Sequence, residues 1–170
     1  MTPEAKPSST ATTRTRKAAA AATAEHPDRS AWEKPGFLLW HATLRWQRMV
    51  GVALKPIGLT HVQFVLLASL TWLESDGPVT QRDLAAHAAT DPMMTSQVVR
   101  ALQQRDLVDR APHASDARAW ALSVTAAGAA LANDAVAAVE ACDGAFFATL
   151  GSGLPRFSAQ LRALAAHNPR

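Results

Sequence analysis

One stretch of the chain, residues 79–128, decides its fold: VTQRDLAAHAATDPMMTSQVVRALQQRDLVDRAPHASDARAWALSVTAAG. Its hydrophobic pattern predicts a helix, a turn, a second helix, two short strands and the start of a further helix. Thr80 and Asp83 predict the first helix start, because their side chains can satisfy free amides of the first turn. Asp91-Pro92 predicts the second start, since Asp accepts from that turn and Pro has no amide to leave unpaired.

The second helix has two different faces. A step of about 100° per residue separates a side predicted to be buried from a side predicted to be exposed. The first contains Met94, Val98, Ala101 and Leu102. The second, with its flanks, contains Met93, Thr95, Ser96, Gln97, Arg100 and Gln103. This outward face has one cation and no acid, and its side chains are of the types that contact base edges and thymine methyl groups in the major groove.

A hairpin is predicted after the second helix. Asp106 interrupts the helical pattern, and two short apolar segments then flank the polar loop 111–118. The loop tip carries Asp116 and Arg118, and a planar, permanently charged arginine on a narrow hairpin suits the minor groove. A helix-turn-helix followed by such a hairpin is the layout of a winged helix-turn-helix.

The same residues resemble the MarR family of winged-helix transcriptional regulators. The resemblance covers about residues 37–165 and lies in several motifs in order. These are Gly58-Leu59-Thr60-x-x-Gln63-Phe64, Asp83-Leu84-Ala85, Leu102, Leu107-Val108 with Arg110, Asp116-x-Arg118, and Leu122-x-x-Thr125-x-x-Gly128.

The resemblance implies a role for each matching position. The helix that begins near Pro92 is then the recognition helix, and Arg118 is the wing arginine. Asp116 braces the wing by pairing with an arginine, and Arg110 lies near the DNA backbone. Asp106 departs from the family, which commonly has Gly there, but Asp tolerates the left-handed conformation better than most residues. The turn is therefore expected to survive.

Composition and charge agree with one domain that has extensions. Hydrophobic residues make up 48% of the chain, and the formal charge is +3. This charge permits a nucleic-acid partner without requiring one. The single cysteine, Cys142, excludes a disulfide framework, fits a reducing cytoplasm and is expected to be a buried small hydrophobe. No apolar run approaches the ~20 residues that cross a bilayer, so no membrane partner is expected.

The chain shows none of the signatures of an enzyme or a metalloprotein. Nucleophile-elbow, phosphate-loop, dinucleotide and zinc-protease motifs are missing from the sequence, which predicts no catalytic residue. The histidines form no pair at ligand spacing, and we expect neither a metal site nor a cofactor.

Four segments are predicted along the chain. Residues 1–30 form a low-complexity tail in which five cations outnumber three acids; it is expected to be disordered, and either to touch phosphates or to have no role. Residues 31–58 form an N-terminal dimerisation helix, 59–125 the DNA-binding domain and 126–170 C-terminal dimerisation helices. The terminal helices are more apolar than one small domain needs, which predicts that they interlock with a second copy.

The predicted protein is mainly α-helical: a winged helix-turn-helix with a two-strand wing, and a dimerisation domain built from the N- and C-terminal helices. A homodimer would present two recognition helices to half-sites of a palindromic operator on double-stranded DNA, ~34–36 Å apart. The residues expected to contact DNA are Thr80, Met93, Thr95, Ser96, Gln97, Arg100, Arg110 and Arg118.

A small effector is expected to regulate this DNA binding. The resemblance implies a crevice for an aromatic or anionic molecule, and the candidate lining residues are Trp40, His41, Arg45, Trp46 and Trp72. The alternative is that these tryptophans only fill the core and the dimer interface. The predicted function is thus a cytoplasmic, ligand-released repressor; the alternative function is a winged-helix protein-interaction module without specific DNA binding.

Overall fold

The computed structural model describes residues 32–113 and 119–167. The predicted tail 1–30, together with Asp116 and Arg118, lies outside the described residues. The helices are α1 Pro35–Leu54, α2 His61–Leu73, α3 Gln81–His87, α4 Pro92–Gln103, α5 Ala126–Phe147 and α6 Leu154–Ala165. The strands are β1 Val79–Thr80, β2 Val108–Pro112 and β3 Trp120–Val124.

Threonine side chains cap the starts of α2, α3 and α5, and the predicted cap at Thr80 is confirmed. The Thr60 hydroxyl accepts from the Gln63 amide at the start of α2, and Thr80 does the same with Asp83 at the start of α3. Each cap is reciprocal, because the side chain three residues on accepts from the cap residue's own backbone amide. Thr125 likewise accepts from Gly128 at the start of α5.

The sheet is antiparallel and has the strand order β1-β3-β2. The predicted wing strands pair with Arg110 opposite Leu122 and Pro112 opposite Trp120. The two-residue strand β1, which the sequence analysis did not predict, adds Val79 opposite Leu122. Asp106 has φ of +55° in the turn before β2, as expected from its tolerance of the left-handed conformation.

A close backbone approach explains the glycine in the Thr125-x-x-Gly128 motif. A Cβ on Gly128 would lie 2.0 Å from the carbonyl oxygen of Leu107. That oxygen accepts from the Thr125 amide at 3.2 Å, and the Thr125 hydroxyl donates to the Asp106 carbonyl at 2.7 Å. Only a residue without a side chain lets α5 begin against this turn.

Two further contacts hold the winged unit on α2. The Glu74 carboxylate accepts from the Val124 amide of β3, with both oxygens at 3.1 Å. Arg105, just after α4, donates to the Gly58 carbonyl at 2.9 Å, before α2. The wing and the recognition helix are therefore fixed to opposite ends of one core helix.

The core lies where α1, α2 and α5 meet the winged unit. Leu54, Leu66, Leu70, Leu102 and Ala135 are at most 1% exposed. On α2 Leu67 is also buried, whereas Val62, Val65 and Leu73 are half-buried. On α5 the buried line is Ala132, Ala135 and Val139, and no residue of α6 is buried.

The prediction that no apolar run approaches membrane-spanning length needs correction. The helical segment 126–165, which bends at Gly151, contains an 18-residue window of mean hydropathy 1.2, and 11% of that window is buried. By length and composition this segment passes the test for a spanning helix. Its many alanines account for this, because alanine is apolar and uncharged. The segment exposes an apolar surface.

Candidate nucleic-acid interface

Helix α4 starts at a strong cap. The Asp91 carboxylate accepts from the amides of Met93 and Met94 at 2.8 and 3.0 Å, and Pro92 occupies the first helical position. A negatively charged carboxylate at the N-terminus of a helix also interacts favourably with the helix dipole. Asp91 and Pro92 therefore set the orientation of the first turn of α4, and neither residue belongs to the exposed face that is predicted to contact DNA.

The buried face of α4 differs from the predicted one. It consists of Thr95, Val99 and Leu102, so the helix is rotated by almost one residue position. Met94, expected to be buried, is 37% exposed. Thr95, expected to contact DNA, is completely buried: its hydroxyl lies 2.9 Å from the Asp91 carbonyl and 2.8 Å from the Thr90 hydroxyl. These bonds allow a polar side chain to be buried here, and the prediction that Thr95 reads DNA is wrong.

The remaining predicted residues of α4 lie at the surface. Met93 is 72% exposed, Gln97 and Arg100 are exposed, and Ser96 is half-buried. Because α4 contains no acidic residue, this face offers donors, a cation and a flexible apolar side chain without a repelling charge. It has the composition of a surface that reads base edges.

Thr80, the predicted contact on α3, is engaged inside the protein. Its hydroxyl lies 2.6 Å from an Asp83 carboxylate oxygen and 3.2 Å from the Asp83 amide. Hydrogen bonds from the Thr80 hydroxyl and amide, assisted by Arg82 and His113, lower the pKa of Asp83. The hydroxyl of Thr80 therefore shapes α3, and a DNA contact by this side chain stays a prediction.

The wing base carries an arginine held on an aromatic ring. The guanidinium of Arg110 lies 4.4 Å from the centre of the Trp120 ring, a cation–π contact. Both side chains lie on the same face of the hairpin as the buried Leu122. The sequence analysis named Arg110 but missed Trp120, as well as Arg82, which lines the same groove as these two residues. An aromatic residue in a polar wing strand was the signal available for Trp120.

The five predicted effector residues do not converge in one protomer. Trp40 and Trp72 are each 60% exposed, and Trp72 stacks on His87 at 4.9 Å. His41 packs against Phe37 at 4.3 Å near the start of α1. Within one chain these side chains lie in separate places, and a shared crevice in the dimer stays a prediction.

Trp46 and Arg45 border different cavities between α1 and the C-terminal helices. Trp46 borders a cavity of about 250 Å³, almost entirely apolar, whose walls include Leu39, Phe146 and Phe157. Arg45 borders a wider one of about 590 Å³ beside Met49 and the same phenylalanines.

A polar cluster joins α1, α2 and α5. The Trp46 indole donates to Asp143 at 2.6 Å, and its ring meets the edge of His61 at 5.0 Å. Burial lowers the pKa of His61, although Asp143 opposes this shift. Next to this cluster, burial and Asp143 raise the pKa of Cys142, which is half-buried rather than fully buried. A thiol with a raised pKa is a poor nucleophile.

Comparison with known proteins agrees with this geometry. The sequence profile described as the MarR family matches residues 59–120. The HTH-type transcriptional regulator YdcH of Bacillus subtilis is 47% identical over 115 residues, which are 67% of this chain and 78% of that protein. The HTH-type transcriptional repressor Rv2887 of Mycobacterium tuberculosis is 36% identical over 115 residues, 68% of this chain and 81% of the repressor.

Solved structures show the same fold. Rv2887 has been solved in complex with DNA, and this chain matches that structure with a TM-score of 0.61 and 32% identity over 78% of this chain and 98% of the other. It has also been solved in complex with salicylic acid. Bordetella bronchiseptica BpsR matches with a TM-score of 0.74 at 24% identity, covering 81% of this chain and 96% of that chain.

Proposed function

The chain belongs to the MarR family, whose members are transcriptional regulators, and we propose that it is a homodimeric repressor that binds a palindromic operator and is released by a small ligand. The observation that carries the proposal is the exposed, acid-free face of α4, anchored by Thr95, Val99 and Leu102. The related repressor Rv2887 has been solved on DNA.

The base-reading residues of this proposal are Met93, Ser96, Gln97 and Arg100. Gln97 and Arg100 are exposed and carry the donors that discriminate adenine and guanine in the major groove. Arg110 contacts the backbone, Arg118 enters the minor groove and Asp116 braces the wing. A variant of α4 should therefore lose affinity only at particular base pairs, whereas a variant of the wing should lose affinity for every DNA sequence.

The second copy covers the apolar surface of the terminal helices. Leu38, Leu39, Val52, Leu154 and Leu164 are between 37% and 73% exposed, and all lie on α1 or α6. Residues 31–58 and 126–170 then form the dimerisation domain, 59–125 the DNA-binding domain and 1–30 a basic tail. Burying this surface against another protomer also accounts for the apolar window of α5 and α6 without a membrane, and the dimer works in the cytoplasm.

The effector is an aromatic or anionic molecule bound among the dimer helices, where α1 meets the C-terminal helices. Rv2887 has been solved with salicylic acid, which has both features. The cavities next to Arg45 and Trp46 offer a cation and aromatic walls. Ligand entry there changes the spacing of the two α4 helices and lowers operator affinity. We propose no catalytic role, since members of the family are generally not enzymes.

Fluorescence anisotropy with DNA from the chain's own upstream intergenic region tests the proposal. Measurements at two salt concentrations, with random DNA as competitor, separate specific from electrostatic binding. Binding that survives competitor and weakens with salt is the expected result, and salicylic acid added to the complex should then lower the anisotropy. Failure to bind any DNA would overturn the repressor function. The exposed face of α4 would then be expected to contact a protein partner.

A further inference from the structure

A second surface flanks the recognition helix, in a groove between α3 and the wing. The groove encloses about 520 Å³, and its walls contain Thr80, Gln81, Arg82 and Asp83 from one side and Arg110, Ala119, Trp120 and Leu122 from the other. It opens beside β2, next to the surface that carries α4.

The groove concentrates positive charge. Arg82 and Arg110 are exposed and face it from α3 and from β2. Among the described residues of its wall the one acid is Asp83, which is bound by the hydroxyl and the amide of Thr80. Asp109 precedes Arg110 and points to the other face of the hairpin, since neighbouring strand residues alternate. The groove therefore offers two guanidinium groups to an anion.

Trp120 gives the groove a flat apolar wall. Its ring is 46% exposed and lies 4.4 Å from the Arg110 guanidinium. The ring restrains the long arginine side chain, so less conformational freedom is lost when a ligand binds. A ligand with an anionic group next to an apolar face satisfies both walls.

Arg82 also borders a second groove. That groove, of about 410 Å³, runs along the outer side of α3 to Pro92 at the start of α4. Arg82 therefore lies between the groove at the wing and the start of the recognition helix α4. A linear polyanion that crosses from the wing to α4 passes this side chain.

We propose that Arg82, Arg110 and Trp120 form a backbone clamp that binds one sugar-phosphate segment of the operator strand between the wing and α4. The phosphate lies between the two guanidinium groups, and the deoxyribose packs on the indole ring. This inference rests on the proposed DNA-binding function and adds residues of α3 and β3 to it. The clamp reads no base, so it strengthens every sequence equally.

Four variants of the full-length dimer test the clamp on an operator selected from a random duplex library by the wild-type protein. Arg82→Gln should weaken binding about tenfold and reduce the salt slope by about two, because each protomer loses one phosphate contact. Trp120→Leu should weaken binding several-fold, whereas Trp120→Phe keeps a ring under Arg110 and should stay within about twofold. Arg48→Gln removes an exposed arginine of α1 and is the matched control.

Two readouts separate a clamp from a structural role. The ratio of operator affinity to random-DNA affinity should be unchanged in Arg82→Gln, since only backbone contact is lost. DNA should quench tryptophan emission of the wild type, and the quenching should decrease in Trp120→Phe at equal saturation. Gel filtration and circular dichroism check that each variant remains a folded dimer.

The clamp is overturned if Arg82→Gln and Trp120→Leu bind with wild-type affinity and salt slope, or no more weakly than Arg48→Gln. A fall in the specificity ratio would also overturn it, because that would make these residues base readers. If the wild-type protein selects no duplex at all, the repressor function fails first and the clamp fails with it.

Discussion

The indole nitrogen of Trp46 donates a hydrogen bond of 2.6 Å to the Asp143 carboxylate, which ties α1 to α5 across 97 residues of sequence. Asp143→Ala leaves this partly buried donor without a partner and should lower the free energy of unfolding by about 1–2 kcal/mol. Asp143→Asn keeps an acceptor oxygen and should lose less. Urea unfolding at one fixed protein concentration measures both, since dimerisation contributes to stability. An Asp143→Ala protein as stable as the wild type would show that this hydrogen bond does not contribute to stability.

His61 should make stability depend on pH. Burial against Trp46 lowers its pKa, and Asp143, the charged group facing it, only partly offsets the shift. The unfolded chain therefore binds this proton more tightly than the folded protein does. The contribution of His61 to the free energy of unfolding is therefore present in full above the ordinary histidine pKa of about 6.5. It decreases as the pH falls below that value.

Unfolding between pH 7.5 and 5.5 measures the effect. His61→Gln should show a shallower loss of stability with decreasing pH than the wild type, while His167→Gln, an exposed histidine after α6, should follow the wild type. Parallel curves for all three proteins would contradict the assignment.

Two glycines of α5 should respond in opposite directions to alanine. At Gly128 the added Cβ meets the Leu107 carbonyl at 2.0 Å, which no side-chain movement can relieve. Gly128→Ala should destabilise the protein by about 1–3 kcal/mol or more. At Gly144 no atom of the described residues lies within 4 Å of the added Cβ, and Gly144→Ala should stabilise the helix by up to about 1 kcal/mol. Thermal unfolding of both variants checks the contrast; equal effects would refute it.

Thr95 and Gln97 should separate folding from recognition within α4. Thr95→Val removes a buried hydroxyl with two hydrogen-bond neighbours and should lower stability by about 1–2 kcal/mol while the folded dimer keeps its operator affinity. Gln97→Ala should keep stability and lose ~1–3 kcal/mol of discrimination at one base pair. Unfolding curves and binding to single-substitution operators test the two. A stable Thr95→Val protein with relaxed specificity would restore Thr95 as a base reader.

Arg118, which lies outside the described residues, should act through charge. Arg118→Ala should weaken binding to all sequences and reduce the salt slope by about one per protomer. Anisotropy titrations over a range of salt concentrations give the slope directly. Unchanged affinity and slope would show that the wing arginine makes no phosphate contact.

Most of the architecture was predictable from local chemistry. Thr80 and Asp91 cap their helices as predicted, and Thr60 and Thr125 do so by the same chemistry, because a cap needs only residues within one turn. Asp106 adopts the left-handed turn that its short polar side chain allows. The paired wing strands follow equally from their apolar residues and the loop between them.

The exact face of each helix was decided by tertiary structure. Thr95 is polar and was placed outward, but Thr90 and the Asp91 carbonyl satisfy its hydroxyl and the core accepts it. The pairing of Arg110 with Trp120 required the register of β2 on β3.

The effector residues show the same limit. Trp40, Trp46 and Trp72 are residues of the same type but lie in different places, because the packing angle between helices sets which side chains meet. The sequence by itself therefore determined where α2, α3, α4 and α5 begin and which chemistry they carry. The tertiary structure alone decided which of those side chains are buried, paired or exposed to DNA, since burial depends on contacts between residues far apart in the chain.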